Sequence, residues 1–371
     1  MSVYDLSLSY VRELTPYRPG KPISELEREL GLKDVVKLAS NENPLGPSPF
    51  GLKAAQAAIL DCQFYPDGGG FALKQTLSEM LQVDALQITL GNGSNDVLEL
   101  IARTFLAPGL SAAYCEHAFA VYPIVTQAVG ANARIAPAHD GSRGIRYAHD
   151  LEALGLVIDG TTRVVFIANP NNPTGTHFSA AAFETFIQQV PATTIIVLDE
   201  AYFEYVREPD YPDGLQWLSK YPNLIVTRTF SKAYGLAGLR VGYAVSSPEI
   251  ADLLNRVRQP FNVNLPALEA AKAALHDRTH LEKTVMLNIK GLQFLRSELE
   301  ARGFEVIPSV GNFLSFDLGR LAQPVYEALL REGVIVRPIA NYGLLNHLRV
   351  TVGLERENQS FLAALDRVIT A

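Results

Sequence analysis

The segment LIVTRTFSKAYGLAGLRVGY (224–243) decides the fold. A β-branched run, LIVTRTF (224–230), ends at the pair Ser231-Lys232, and a glycine-rich turn then leads to Arg240. A lysine at the carboxyl end of a strand lies where α/β sheets bind their ligands. A desolvated lysine amine also loses its proton readily and attacks carbonyl groups. We therefore expect Lys232 to lie in a ligand site at the edge of a parallel sheet.

Short apolar runs alternate with helix-like segments upstream of this segment. The runs are ITL (88–90), AAYC (112–115), VVFIA (164–168) and TIIVL (194–198). Strand-like runs separated by helices are typical of parallel strands with crossover helices on both faces. We predict an α/β fold with a mostly parallel central sheet, flanked by helices, in a large domain over residues 46–262.

The pattern changes after Pro260, where a long stretch shows helical periodicity until FEVIP (304–308). Strands and helices then alternate again, which predicts a smaller α+β domain over residues 263–371. Residues 1–45 end in a segment rich in proline and glycine, a composition that wraps over a surface. We predict that this N-terminal arm contributes to the small domain.

Composition restricts the partners of the chain. Its 371 residues carry a net charge of -7 without a basic block, which disfavours binding to nucleic acid and anionic membranes. The sequence has neither a signal-peptide pattern nor a run of about 18 apolar residues that would span a membrane. The two cysteines, Cys62 and Cys115, are too few for a disulfide framework. We expect a cytoplasmic protein whose partners are small molecules.

Three further polar motifs follow predicted strands. LDEAYFEY (198–205) puts Asp199 at a strand end, and IANPNNPTG (167–175) forms a rigid turn after another strand. GNGSND (91–96) opens a helix, whose free N–H groups and dipole favour a phosphate. Asp96 occupies the third glycine position of the dinucleotide fingerprint, and the sequence holds no Walker A motif. The phosphate therefore belongs to a ligand smaller than a nucleotide.

These motifs, in this order, resemble those of the fold type I pyridoxal-phosphate (PLP) aminotransferases. SNENPLGPSP (40–49), FYPD (64–67) and HLRVTVG (347–353) are similar to the histidinol-phosphate aminotransferase branch of that family. The resemblance covers nearly the whole chain. It implies PLP as the cofactor and transamination as the reaction.

By this resemblance, Lys232 binds PLP covalently and acts as the general base. Asp199 would keep the ring nitrogen protonated, and Tyr202 and Asn172 would hydrogen-bond the ring hydroxyl oxygen. Phe119 would stack on the ring where many relatives have a tyrosine or tryptophan, but it cannot donate a hydrogen bond. The residues implied at the cofactor phosphate are Gly93, Ser94, Asn95, Thr229, Ser231 and Arg240.

The resemblance also implies a homodimer, in which Tyr65 reaches across a two-fold axis to the cofactor phosphate of the partner. Arg349 would clamp the carboxylate of glutamate and 2-oxoglutarate. The residues implied at the substrate are Tyr17, Asn41, Arg337 and Arg349. The implied reaction is amino transfer between L-histidinol phosphate and 2-oxoglutarate, giving imidazole acetol phosphate and L-glutamate in histidine biosynthesis.

Three other functions stay open at this point. An aromatic-amino-acid aminotransferase would use Arg349 for the carboxylate in both half-reactions, and a PLP-dependent decarboxylase of a phosphorylated amino acid would release CO2. A non-catalytic ligand-sensing module would normally be fused to a DNA-binding segment, and no helix-turn-helix precedes residue 15.

His276 and His280, four residues apart on a predicted helix, have no third ligand nearby in sequence, and we predict no metal site.

Overall fold

The apolar runs of the sequence form β-strands in the computed structural model, which describes residues 2–370. The strands are β1 (Val36–Lys37), β2 (Ile88–Gly91), β3 (Ser111–Cys115), β4 (Asn132–Ala136), β5 (Thr162–Ala168), β6 (Ile195–Asp199), β7 (Leu224–Thr229), β8 (Gly242–Val245), β9 (Glu305–Ile307), β10 (Phe313–Asp317), β11 (Val334–Ile335), β12 (Arg337–Pro338) and β13 (His347–Thr351). The largest sheet has seven strands in the order β2-β8-β7-β6-β5-β3-β4. In the part of the sheet ordered β7-β6-β5-β3-β4, each strand is parallel to its neighbours. β8 is antiparallel to both β2 and β7. The predicted mostly parallel sheet is confirmed.

Helices cover both faces of this sheet, and others pack elsewhere in the chain. The helices are α1 (Ser9–Arg12), α2 (Ile23–Leu30), α3 (Pro49–Ala58), α4 (Phe71–Leu81), α5 (Ser94–Phe105), α6 (Val121–Ala128), α7 (Leu151–Leu156), α8 (Ala180–Gln189), α9 (Pro248–Val257), α10 (Leu265–Leu275), α11 (Arg278–Ala301), α12 (Ala322–Arg331) and α13 (Glu355–Thr370). Each of them is too short or too polar to cross a lipid bilayer, within the part of the chain that the structure describes.

Both faces of the central strands are apolar because each packs on helices. On β5, Val165 and Ile167 point into a core with α4, α8 and α10, whereas Val164 and Phe166 point into a second core with α5, α6 and α9. Alternate residues of a strand face opposite sides of the sheet, so a strand covered on both faces is apolar throughout. This explains why the sequence of β5 does not alternate between polar and apolar residues.

A smaller antiparallel sheet, in the order β12-β13-β10-β9, packs against α11, α12 and α13. Its register places Arg337 of β12 directly opposite Arg349 of β13. β1 from the N-terminal arm pairs in parallel with β11, and Leu38 joins the core of the smaller sheet. The arm therefore packs with the smaller sheet.

Helix α10 lies beyond residue 262, the predicted end of the large domain, yet its residues Ala267, Ala271 and Leu275 pack in the core of the seven-stranded sheet. The same helix packs against α3. Helical periodicity does not indicate which sheet an alanine-rich helix packs against, so the boundary at residue 263 stays a prediction. This packing favours a start of the small domain after α10 rather than at residue 263.

Candidate active site

The carboxyl ends of β5, β6 and β7 and the start of α5 surround a cavity of about 190 Å³. All but two of the residues that the sequence predicts at a site line this cavity. The predicted residues that line the cavity are Tyr17, Asn41, Ser94, Asn95, Phe119, Asn172, Asp199, Tyr202, Thr229, Ser231, Lys232, Arg240, Arg337 and Arg349. Gly93 lies next to the cavity in the turn before α5, and Tyr65 lies outside it. Segments far apart in sequence thus meet at one edge of the sheet.

Lys232 follows the end of β7 and projects its amine into the cavity. The amine donates a hydrogen bond to the backbone oxygen of Ser40 at 3.1 Å. Burial, followed by the nearby guanidinium of Arg349, lowers the pKa of Lys232 to about 8. A substantial fraction of the amine is therefore neutral near pH 8, and a neutral amine is a nucleophile and a base.

Asp199 ends β6 and is 3% exposed. Its Oδ2 accepts a hydrogen bond from the hydroxyl of Tyr122 at 2.9 Å, and its Oδ1 accepts one from the hydroxyl of Thr227 at 2.9 Å. Burial raises the pKa of this carboxyl, and the two hydrogen bonds oppose that effect. The site thus holds a buried carboxylate that is stabilised by two hydroxyl donors.

The start of α5 forms an anion cradle with the segment after β7. Gly93 has φ +82°, and a Cβ built there would lie 2.1 Å from an Nη atom of Arg240, so a side chain would collide with the guanidinium. Arg240 also donates to the hydroxyl of Ser231 at 3.3 Å. Asp96 accepts from the backbone N–H of Asn92 at 2.8 Å, which ties the turn together. Helix N–H groups and a guanidinium together suit a phosphate.

Tyr202 and Asn172 line the same cavity, and other side chains fix their orientation. The side-chain amide of Asn41 donates to the hydroxyl oxygen of Tyr202 at 2.8 Å, which leaves the tyrosine proton free to donate into the cavity. Asn172 accepts a hydrogen bond from Arg349 through its Oδ1, so its N–H groups remain as donors. Both residues can therefore donate a hydrogen bond to an acceptor atom in the cavity.

Two guanidinium groups, from β12 and β13 of the smaller sheet, line the other end of the cavity. Arg349 is 6% exposed and donates to the backbone oxygen of Ala39 at 2.7 Å, but its Nε lacks a hydrogen-bond partner among residues 2–370. Arg337 donates to the backbone oxygen of Arg18 at 2.6 Å, and its guanidinium lies 5.8 Å from the ring centroid of Tyr17. An anion at this end would meet two cations and a phenol.

Comparison with known proteins agrees with this arrangement. The profile of the family described as "Aminotransferase class I and II" matches residues 33–365. The chain belongs to this family. "Histidinol-phosphate aminotransferase 2" of Methylococcus capsulatus is 62% identical over 369 residues, which cover 100% of both chains. The protein of the same name from Pseudomonas fluorescens is 59% identical over 361 residues, which cover 97% of this chain and 96% of the relative.

Solved structures give the same family. The crystal structure of histidinol-phosphate aminotransferase from Sinorhizobium meliloti, in complex with pyridoxal-5'-phosphate, superposes with a TM-score of 0.89 at 30% identity. The superposition covers 98% of this chain and 97% of that one. The structure of L-threonine-O-3-phosphate decarboxylase from Porphyromonas gingivalis superposes with a TM-score of 0.78 at 23% identity, which shows a shared fold alone.

The structure also gives the surroundings of four other residues of this aminotransferase, Tyr65, Asn41, His276 and His280. Tyr65 is 82% exposed and stacks on Phe261 with ring centroids 4.7 Å apart, away from the cavity of its own chain. Asn41 is 1% exposed, and its side-chain amide donates to Tyr202 and accepts from Thr351. His276 and His280 do not share one helix, because His276 caps α10 and His280 lies in α11.

Sequence reasoning missed two residues that the structure places against Asp199. Tyr122 lies three residues after Phe119, and Thr227 lies in the middle of the strand segment 224–230. Both are part of runs that are typical of an apolar core, so their sequence context gives no sign of a polar role. The only sequence signal is spacing: Thr227 is two residues before Thr229, on the same face of β7.

Proposed function

We propose that this aminotransferase uses PLP to transfer the amino group between L-histidinol phosphate and 2-oxoglutarate, giving imidazole acetol phosphate and L-glutamate in histidine biosynthesis. The observation that carries the proposal is that one cavity joins the amine of Lys232 to the paired guanidiniums of Arg337 and Arg349. A phosphorylated amine needs a reactive site for its amino group, which Lys232 provides, and cations for its phosphate, which the two arginines provide. The names of the relatives at 59–62% identity support the same reaction.

The residues in the cavity fit PLP. Lys232 offers an amine for its aldehyde, Asp199 a carboxylate for its ring nitrogen, and Phe119 a flat apolar face for its ring. The collision that a Cβ at Gly93 would make with Arg240 shows that the guanidinium lies close against this backbone turn, where it would contact the cofactor phosphate. When bound, PLP supplies an aldehyde and an electron-withdrawing ring that stabilises negative charge at the neighbouring carbon.

Lys232 would move the proton of the reaction. Its neutral amine would hold the cofactor through the aldehyde, and the pKa of about 8 makes this form accessible close to neutral pH. An amine that is not bonded to the cofactor is a base within the cavity. It would take up and move the proton of the substrate carbon.

Asp199, Tyr202 and Asn172 would set the charge on the ring. The buried carboxylate of Asp199 would hold a proton at the ring nitrogen, since an ion pair in a buried site favours both charged forms. Tyr202 and Asn172 would donate hydrogen bonds to the ring hydroxyl oxygen and keep it anionic. These residues make the ring a better acceptor of electrons from the reacting carbon.

The two guanidiniums would select the substrate. Arg349, with its unpartnered Nε, would bind the carboxylate of glutamate in one half-reaction and the phosphate of histidinol phosphate in the other. Arg337 and Tyr17 would add contacts to the phosphate, which carries more charge than a carboxylate. An aromatic amino acid would leave Arg337 without an anion, so the second guanidinium favours the phosphorylated substrate.

We also propose that the enzyme works as a cytoplasmic homodimer in which Tyr65 serves the cofactor phosphate of the partner. Large apolar side chains near Tyr65 are exposed in the single chain, including Leu60 at 80%, Phe64 at 67% and Phe71 at 68%. A second copy of the chain would bury this surface. The free thiols of Cys62 and Cys115 are typical of a reducing compartment.

Hybrid dimers test the role of Tyr65. Mixing Lys232→Ala chains with Tyr65→Ala chains gives dimers in which one site combines an intact Lys232 with an intact Tyr65 from the other chain. We expect the hybrid to be more active than either parent homodimer. Activity equal to the average of the two parents would show that Tyr65 does not act across the interface.

The reaction itself is tested by absorbance spectroscopy of the PLP-loaded protein. We expect L-histidinol phosphate to convert the cofactor to its amine form, and 2-oxoglutarate to restore it, whereas phenylalanine reacts much more slowly. Lys232→Ala is the control and should not turn over. A preference for phenylalanine would move the substrate to the aromatic class, release of CO2 would indicate a decarboxylase, and failure to bind PLP would favour a non-catalytic sensing module.

A further inference from the structure

Tyr122 is a buried tyrosine that does not line the cavity, and its hydroxyl contacts the site residue Asp199. It lies at the second position of α6 and is 0% exposed. Its ring stacks on Phe166 of β5 with centroids 4.9 Å apart and planes inclined by 10°. Its hydroxyl ends 2.9 Å from Oδ2 of Asp199. The stacked ring thus fixes the position of a single polar atom against the carboxylate.

The direction of this hydrogen bond follows from the charges. Burial, and then the neighbouring carboxylate of Asp199, raise the pKa of Tyr122 well above its ordinary value. The phenol therefore keeps its proton and donates it to the acceptor oxygen. Hydrogen bonding to the ionised form of an acid favours that form, and here it opposes the desolvation of Asp199.

Tyr122 also contacts the residue that would cover the cofactor ring. The ring of Phe119 packs edge-on against Tyr122, with centroids 5.8 Å apart and planes inclined by 87°. One side chain therefore touches both Phe119 and Asp199. These two residues would contact the cofactor at its face and at its ring nitrogen.

We infer that Tyr122 is a positioning residue that keeps the carboxylate of Asp199 ionised and directed at the ring nitrogen of PLP. This inference rests on the placement of Asp199 in the proposed function. Tyr122 does not touch the reacting atoms. It acts by setting how firmly Asp199 holds the proton at the ring nitrogen.

The test compares two tyrosine-to-phenylalanine variants in the holoenzyme. Tyr122→Phe removes the hydroxyl and keeps the ring that stacks on Phe166. Tyr114→Phe is the matched control, because Tyr114 is also buried and its ring centroid lies 6.4 Å from that of Tyr122. Each variant is loaded with PLP labelled with ¹⁵N in the ring, and the nitrogen chemical shift is measured by NMR.

We expect Tyr122→Phe to move the nitrogen signal from the position of a protonated pyridine toward that of a neutral one, and Tyr114→Phe to leave it unchanged. Loss of a hydrogen bond to a charged group should lower kcat by about tenfold. KM for L-histidinol phosphate should stay close to that of the unmodified chain, because Tyr122 does not line the cavity. An unchanged nitrogen signal in Tyr122→Phe, or an equal change in Tyr114→Phe, would overturn the inference.

Two further variants separate the possible failures. Asp199→Asn should shift the nitrogen signal more than Tyr122→Phe does. If Asp199→Asn leaves the signal unchanged, the placement of Asp199 fails; if it shifts the signal and Tyr122→Phe does not, only the role of Tyr122 fails. Thr227→Val removes the other hydroxyl donor to Asp199 and shows how far the loss of one donor shifts the nitrogen signal when Tyr122 is intact.

Discussion

The two ends of the cavity are built differently. At the cofactor end, defined by Lys232 and Asp199, Asp199 ends β6 of the seven-stranded sheet and is held by two buried hydrogen bonds, and Lys232 follows β7. At the substrate end, defined by Tyr17, Arg337 and Arg349, they come from the N-terminal arm and the smaller sheet, and Tyr17 is 49% exposed. The residues proposed to carry the chemistry therefore stand on the large sheet, whereas those proposed to select the substrate come from the arm and the smaller sheet.

A buried ion pair lies under the cofactor end. Glu200, next to Asp199, accepts hydrogen bonds from Arg228 at 2.9 and 2.7 Å, and Arg228 also donates to Asp213 at 2.8 Å. The side chains of Arg228 and Glu200 are 3% and 0% exposed. Their pairing joins β7 to the end of β6.

The largest expected effect is on stability, at this ion pair. Arg228→Met leaves the carboxylate of Glu200 buried without its main partner, which should lower the free energy of unfolding of the apoprotein by about 3–5 kcal/mol. Urea denaturation measures this loss. Arg256→Met is the control, because its ion pair with Asp252 is exposed and should contribute at most about 1 kcal/mol. Equal losses in the two variants would contradict the contrast between buried and exposed positions.

The second prediction concerns chemistry at the cofactor end. Asp199→Ala should lower kcat by about 10²–10³, because a preorganised charge next to the ring nitrogen is lost. KM for L-histidinol phosphate should change little, since the substrate end is intact. Steady-state kinetics measure both constants. A rise in KM with unchanged kcat would place Asp199 in substrate binding instead.

The third prediction concerns the buried cation of the substrate end. Arg349→Met should lower kcat/KM by about 10–100-fold for both L-glutamate and L-histidinol phosphate, because each loses a hydrogen bond between charged groups. The two half-reactions can be measured separately by single-turnover absorbance. A loss confined to one substrate would show that the two do not share Arg349.

The smallest effect is expected at Arg337, the half-buried cation of the substrate end. Arg337→Met should lower kcat/KM for L-histidinol phosphate by about 2–5-fold, because a partly solvated charge pair contributes little. The value for L-glutamate should not change, because a carboxylate is satisfied by Arg349. The ratio of the two values is the measurement. Equal losses for both substrates would remove the assignment of Arg337 to the phosphate.

The sequence predicts residues that directly follow a strand better than it predicts contacts between distant segments. Lys232, Asp199 and the turn at Gly93 follow β-branched runs directly, so strand and motif can be identified from one short window. β8 was not predicted, because its short segment follows a glycine-rich turn and pairs antiparallel in an otherwise parallel sheet. The packing of α10 and the contact of Tyr122 with Asp199 depend on residues that are distant in sequence. A local pattern carries no information on such contacts.

The register of the smaller sheet has a consequence for how the protein responds to salts. Arg337 and Arg349 face each other on β12 and β13, and like charges directly opposite on paired strands repel. The sheet is therefore under electrostatic stress whenever no anion lies between the two side chains. Inorganic phosphate should relieve this stress and raise the melting temperature of the protein more than chloride at equal ionic strength. The substrate end thus couples anion binding to the stability of the small sheet itself.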